Sequence, residues 1–530
     1  MRGGGKFAEV ILLNAEIGDQ LEMSKSTFDG EVTLIGAKVG TIVDMRGAKF
    51  TRKLRMDRLR VGSSLFMHEK AQFAEVALRD AQIGGQLMMN GSSFSGTVNL
   101  HSAHIGEQLE MSSSTFTGDV NLFGAKIDGL VDMRGAKFVR ELNMDKLRVG
   151  SSLFMRDKAQ FAVVRLQQAS VAGSLDMVES TFYEDVLIKG SHVAGQLLME
   201  RAIFTKNLDM DSVLVDDDIH MSSGARFNRV WLRGAQVGDQ LNLTGSTFSD
   251  ELDMYGARVR SDFVMLDVMW NSKTRSPQPI NLTFMEIGGR FSLSGSQLPS
   301  LDLSGSRIRS GFWLGLESRH TTWQKGAKLV LHNTEVGALQ HLPMAWPDEV
   351  ELEGFTYTFF ADSVGNIPTT KVSGFEKWLE KQKKYSPQPY EQLANALVRA
   401  GHKDKAKEIL YAGKLREHSE TKGFWRSLWL WLLWMFIGYG YDNFRTVYWI
   451  LALWPIGMLW LRLTREDRAN DLKYWGCAYS IDMLLPIIEL RKKHNEIDLN
   501  GSARVYFYFH RVMGYVLVFF LIAGLSGLTK

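Results

Sequence analysis

Three polar side chains near the C-terminus are the strongest candidates for chemistry. Asp482 lies in an otherwise apolar stretch, 474–490 (YWGCAYSIDMLLPIIEL). A carboxylate within lipid is costly, which makes it a functional candidate by default. His510 and Arg511 sit near the start of another apolar run and are its expected partners; together the three would form an intramembrane polar or pore-lining site. The plainer reading has all three snorkelling to an interface. Asp216-Asp217-Asp218 with His220 has the residue types of a metal site. Adjacent side chains on a strand or turn diverge, however, so a charged corner is expected there instead. Methionines recur through the first half, but copper binding needs thioethers converging on one point, and these are spread along an axis. No G-x-G-x-x-G at a strand–helix junction, Walker loop, H-E-x-x-H or C-x-x-C pair is present. The sequence therefore predicts no catalytic, cofactor or metal site and no enzyme; an oxidoreductase reading finds no nicotinamide or flavin motif.

Gly438, Tyr439 and Gly440 belong to Ile437-Gly-Tyr-Gly-Tyr-Asp442, which is similar to the T-V-G-Y-G-D of potassium filters. A filter needs a pore helix before it and spans on both sides. Here Tyr441 intervenes, no threonine precedes the motif, and no spanning helix lies upstream of 424. The expected structure is a helix end capped by glycine between two antiparallel spans.

The elements that must position these residues begin with a repeat. Met23, Met45, Met67, Met89, Met111, Met133, Met155, Met177, Met199 and Met221 fall every 22 residues. Leu34, Met56, Leu78, Leu100 and Leu122 start a second column eleven residues out of phase, and a third interleaves Val39, Phe50, Val61, Phe73, Ile83 and Phe94. Phe73, Phe161 and Phe227 each come one place late, which is read as a tolerated bulge. L-x-M and V-x-L pairs have the period of two of short strands with one buried face. Gly18, Gly40, Gly106 and Gly150 follow the aliphatic position, where a tight corner favours a residue without a Cβ. DMRGAKF recurs at 44–50 and 132–138, and LRVGSSLFM at 59–67 and 147–155, both 88 residues apart, which points to segmental duplication. One small unit stacked on itself explains all of this.

With Ala37 before Val39, Ala48 before Phe50 and Ala136 before Phe138, the repeat resembles the pentapeptide-repeat proteins. The resemblance covers residues 10–265 well and 281–357 more loosely. It departs in having coils of 22 rather than 20 residues and Met where Leu is usual. It implies a right-handed quadrilateral β-solenoid over 1–360, about fifteen coils and on the order of 70 Å long, with a loop insertion near 270–280. G-Y-G-Y turns followed by a second span are similar to those of uncharacterised bacterial membrane proteins with such repeats.

After residue 360 the composition changes. Ser386-Pro-Gln-Pro389 announces a helix; Tyr390, Leu393, Leu397 and Ala400 share one face, Gly401 turns the chain, and Ala406, Ile409, Leu410 and Leu415 follow on a second helix. This hairpin, within 361–422, is expected to cap the last coil and link to a transmembrane bundle over 423–530. Spans are expected at 425–441, 447–463 and 505–528, with 474–490, broken by Pro486, interfacial or re-entrant. Three or four spans fit the pattern. Their tryptophans and tyrosines suit an interface.

Residues 1–350 carry a net charge of −3 and the remainder +6. The repeat thus lacks the basic stripe of a nucleic-acid binder and the acidic face of a DNA mimic. The single cysteine, Cys477, excludes a disulfide framework and fits a reducing compartment. The repeat begins within a few residues of Met1, so no signal peptide is expected. Lys414, Arg416, Lys422, Arg426, Arg462, Arg465, Arg468, Arg491, Lys492 and Lys493 flank the bundle, so the positive-inside rule places the solenoid in the cytoplasm, at the inner membrane of a bacterium. The reading is a scaffold anchored in the lipid bilayer, binding a protein partner and oligomerising through the membrane region; the alternative is an oligomeric channel or membrane-disrupting effector gated by the solenoid.

Overall fold

The computed structural model describes the chain except for residues 2, 273–277, 317, 362–370, 443, 465–471, 473, 475, 486–488, 498 and 527–530. It divides into two compact units: Met1–Thr370 with Lys377–Lys383, and Lys371–Glu376 with Lys384–Lys530.

The first unit is a β-solenoid. Each regular coil contributes four short strands, and each strand pairs in parallel with the strand one coil on: Phe28 with Phe50, Val32 with Leu54, Val39 with Val61, Val43 with Leu65. One column holds 16 strands, so the solenoid has about 16 coils of 22 residues. The ten methionines on the 22-residue ruler have no exposed surface. The aromatic column runs unbroken from Phe7 to Trp270, successive rings stacking at centroid distances from 4.5 to 5.3 Å.

Two features explain how one short unit closes into a coil. From Asn14 to Asp267, every eleventh residue has a positive φ, whether glycine (Gly36, Gly47) or not (Lys25, Arg58). These mark every second corner, two per coil, where the left-handed conformation turns the chain from one strand to the next. The late phenylalanines have the same origin: Glu69–Lys70, Asp157–Lys158 and Ser223–Gly224 are left-handed pairs, which absorb the extra residue and return the ring to its column. The glycines after the aliphatic position play a different part. They are not left-handed, but a Cβ on Gly40 would lie 2.1 Å from the Gly18 carbonyl oxygen and one on Gly62 2.0 Å from that of Gly40. Close approach of successive coils excludes the side chain.

Trp270 lies in the core, 4% exposed and stacked 5.0 Å from Phe248, and the ladder continues at Ile280. Towards the end the strands lengthen to Arg307–Trp313, Glu335–Gln340 and Thr356–Ala361, joining two columns into one sheet. The last coil is covered by residues 377–383: Val350 N–H donates to the Lys381 carbonyl, and Leu352 N–H to Gln382 Oε1 at 3.1 Å. The two helices of the hairpin belong to the second unit.

The helices are α1 (Val372–Glu380), α2 (Pro387–Arg399), α3 (Lys403–Glu420), α4 (Phe424–Ile437), α5 (Phe444–Leu463), α6 (Gly476–Leu484), α7 (Lys493–Glu496) and α8 (Gly501–Ser526). α2 and α3 form the hairpin around Tyr390, Leu393, Leu397, Ala406 and Ile409, all buried. α4, α5, α6 and α8 pack through two apolar clusters, one around Phe436, Leu484, Leu517 and Phe520, the other around Leu461, Tyr479, Met483 and Phe507. α4 has only 14 residues, about 21 Å of helix, shorter than a hydrocarbon core of roughly 30 Å. Two helices among the described residues are long and apolar enough to cross a membrane, Phe444–Leu463 and Gly501–Ala523.

Candidate functional site

Asp482 is the centre of a buried polar cluster in the second unit. It sits near the end of α6, 8% exposed, where the chain leaves the helix. The backbone folds back over it: Leu490 N–H donates to Oδ1 at 2.7 Å and Arg491 N–H to Oδ2 at 3.2 Å. His494 Nδ1, from α7, lies 2.5 Å from Oδ2, and both side chains are almost wholly buried. Two backbone amides and one imidazole are thus directed at the carboxylate. It then accepts the Nδ1 proton, as carboxylate–imidazole pairs do when one ring tautomer is to be held.

The expected partners of Asp482 are thus replaced by one residue that sequence reasoning missed. His510 lies in α8 and turns elsewhere: its Nε2 is 3.3 Å from both the hydroxyl and the carbonyl oxygen of Ser480, and its Nδ1 is 3.3 Å from the Tyr506 hydroxyl. Gly457 makes room for this contact, since a Cβ there would lie 2.2 Å from Ser480 Oγ and 3.1 Å from the His510 ring. Arg511 is exposed and lines a small cavity beside His494. Residue 494 closes the run Arg491-Lys492-Lys493, which reads as a basic flank. Its signal was that it is the one side chain of that run that can both accept and donate. Pro486 lies outside the described residues.

The Gly438–Gly440 turn is built as a helix terminus. Gly438 ends α4 in the left-handed conformation, with its N–H directed at the carbonyls of Leu433 and Trp434. Tyr439 is itself left-handed, at φ 56°, and buried, with its hydroxyl 3.1 Å from His418 Nδ1 of α3. Arg445 bonds Asp442 and the Trp434 carbonyl, which joins α4 to the start of α5.

In the solenoid, Asp216 pairs with His192 at 2.9 Å, whereas Asp218 accepts from Gln196 and from the Gln240 amide. His220 is 3.6 Å from Asp218. These side chains diverge, and no group of three or more metal-ligating residues occurs among the described residues. The His192–Asp216 pair repeats one found 88 residues earlier, His104–Asp128 at 2.8 Å. There, hydrogen bonds from Lys126 and His104 hold the Asp128 carboxyl below its usual range.

What the helical cluster offers chemically is an imidazole oriented by a carboxylate, next to a cavity lined by arginine. Comparison with known proteins gives no match to this chain, whether by family model, by curated sequence or by solved structure.

Proposed function

We propose that the chain is a membrane-anchored scaffold without catalytic activity, whose solenoid presents a rigid surface to a protein partner. The observation that carries the anchor is the outward face of the two long helices. Tyr448, Leu451, Leu459 and Leu463 on α5, and Val505, Phe509, Val512, Phe519 and Ile522 on α8, are each more than half exposed. Monomeric soluble proteins rarely leave so continuous an apolar surface uncovered. Lipid is the environment in which it costs nothing. The short α4 carries exposed Trp425 and Trp429, which suit an interfacial position.

The proposal extends to the solenoid's form and place. Four strands per coil, with a left-handed turn at every second corner, support a quadrilateral section of pentapeptide type, and the rule for parallel crossovers supports a right-handed coil. The basic residues flanking the helices support a cytoplasmic solenoid at a bacterial inner membrane. The conducting alternative was motivated by Asp482, but a carboxylate already engaged by three donors is a poor pore lining.

The test is extraction of membranes with alkaline carbonate. The full chain is expected to stay with the lipid and a chain ending at residue 383 to be released. Release of the full chain would overturn the anchor. The truncated chain is then the bait for a specific partner, and failure to recover one would remove the scaffold reading.

A further inference from the structure

We propose that the cavity beside His494 is a binding site for a phosphate monoester, free or as a lipid headgroup. The cavity, of about 200 Å³, lies between α6, α7 and α8. His494 is 2% exposed, and its Nε2 is buried without a hydrogen-bond partner among the described residues. Buried polar atoms are rarely left so, and each such atom calls for an explanation. Asp482 holds the opposite nitrogen, Nδ1, so Nε2 faces away from the carboxylate. In the neutral ring that donates its Nδ1–H to Asp482, Nε2 carries a lone pair and is an acceptor. A ligand that reaches this atom must therefore donate a hydrogen bond.

The mouth asks for the opposite charge. Arg504 and Arg511 are seven residues apart on α8, two turns along one face, and both line the cavity. Arg511 is exposed, and guanidinium groups prefer oxyanions over other partners. A ligand that keeps one P–OH beside two unprotonated oxygens sharing a negative charge meets both demands: the hydroxyl donates to Nε2 while the oxygens face Arg511. A phosphodiester has no such hydroxyl. Glu496 also lines the cavity, and its negative charge weighs against a fully ionised phosphate there. Met483 and Phe507 supply an apolar wall. Because Arg504 and Arg511 lie in the first three turns of a long apolar helix, a lipid phosphate and a soluble one are both within reach.

The test uses the full chain in detergent micelles with three probes: inorganic phosphate, phosphatidic acid and the phosphodiester phosphatidylglycerol. Two variants separate binding from folding. R511A removes an exposed side chain, and H494N keeps a donor for Asp482 while removing Nε2. Saturable binding of inorganic phosphate or phosphatidic acid, weakened at least tenfold by both variants, is the expected result. Binding of inorganic phosphate identifies a soluble ligand, and binding of phosphatidic acid alone identifies a lipid. The proposal is overturned if neither monoester binds, if phosphatidylglycerol binds as tightly, or if both folded variants bind as the parent does.

Discussion

His341 should make the end of the solenoid sensitive to acid. It follows the strand Glu335–Gln340, is 2% exposed, and is enclosed by the rings of Phe360, Trp378 and Trp346 at centroid distances of 5.0, 5.3 and 6.2 Å. Burial disfavours the imidazolium and pushes its pKa down to about 3. An unfolded histidine titrates near about 6.5. The folded value lies below the unfolded one, so the opened chain takes up the proton first. The contribution is therefore intact above about pH 6.5 and is lost progressively as the pH falls towards 3. Between pH 7 and pH 5 the loss amounts to about 2 kcal/mol, or roughly thirtyfold in the opening equilibrium. Hydrogen exchange of peptides spanning 335–361, corrected for intrinsic rates, reads that opening directly. Carboxylates nearby also titrate, and His341→Phe provides the control, since a ring of similar size keeps the aromatic packing and removes the proton site. The parent should lose about 2 kcal/mol more protection than the variant over this pH range. Equal losses in both would refute the reasoning.

Three further outcomes follow from the packing. Gly514→Ala places a Cβ 1.7 Å from the Leu484 carbonyl oxygen, so the helical unit should lose at least about 2 kcal/mol, seen as a lower melting temperature in detergent. Arg58→Gly relieves a left-handed φ of 56° at an exposed turn and should stabilise the solenoid by about 0.5–1 kcal/mol; a lower urea midpoint would count against the turn assignment. Met133→Ala opens a cavity at a position with no exposed surface and should cost about 2–5 kcal/mol, with proteolysis concentrated in the coils around it.

The solenoid was legible because its physics is local and repeated. A side chain that always meets its own copy leaves a column in the sequence, and Met23 through Met221 mark one face of the core without any knowledge of distance. The left-handed turns were harder to see. Lys25, Arg58 and Lys146 adopt the conformation of Gly36 and Gly47 at the same eleven-residue interval, so composition does not announce it. Pro277 and Pro279 point to a loop from about residue 270 on, yet Trp270 completes the aromatic stack. In the helical unit, the apolar runs placed α5 and α8, and Asp482 stood out as a charge among apolar neighbours. Its partner did not, because His494 is separated from it by a segment whose fold no periodicity describes.

The amino-acid sequence by itself determined the repeat length, the inward columns and the presence of a separate apolar helical region, since each rests on side-chain spacing along the chain. Only the tertiary structure decided which glycines are turns and which are points of close approach, and that residues 377–383 cover the last coil. It also decided that Asp482 is held by His494 rather than by His510 or Arg511. These depend on which backbone and side-chain atoms come within hydrogen-bond or contact distance across the fold, which spacing along the chain does not encode.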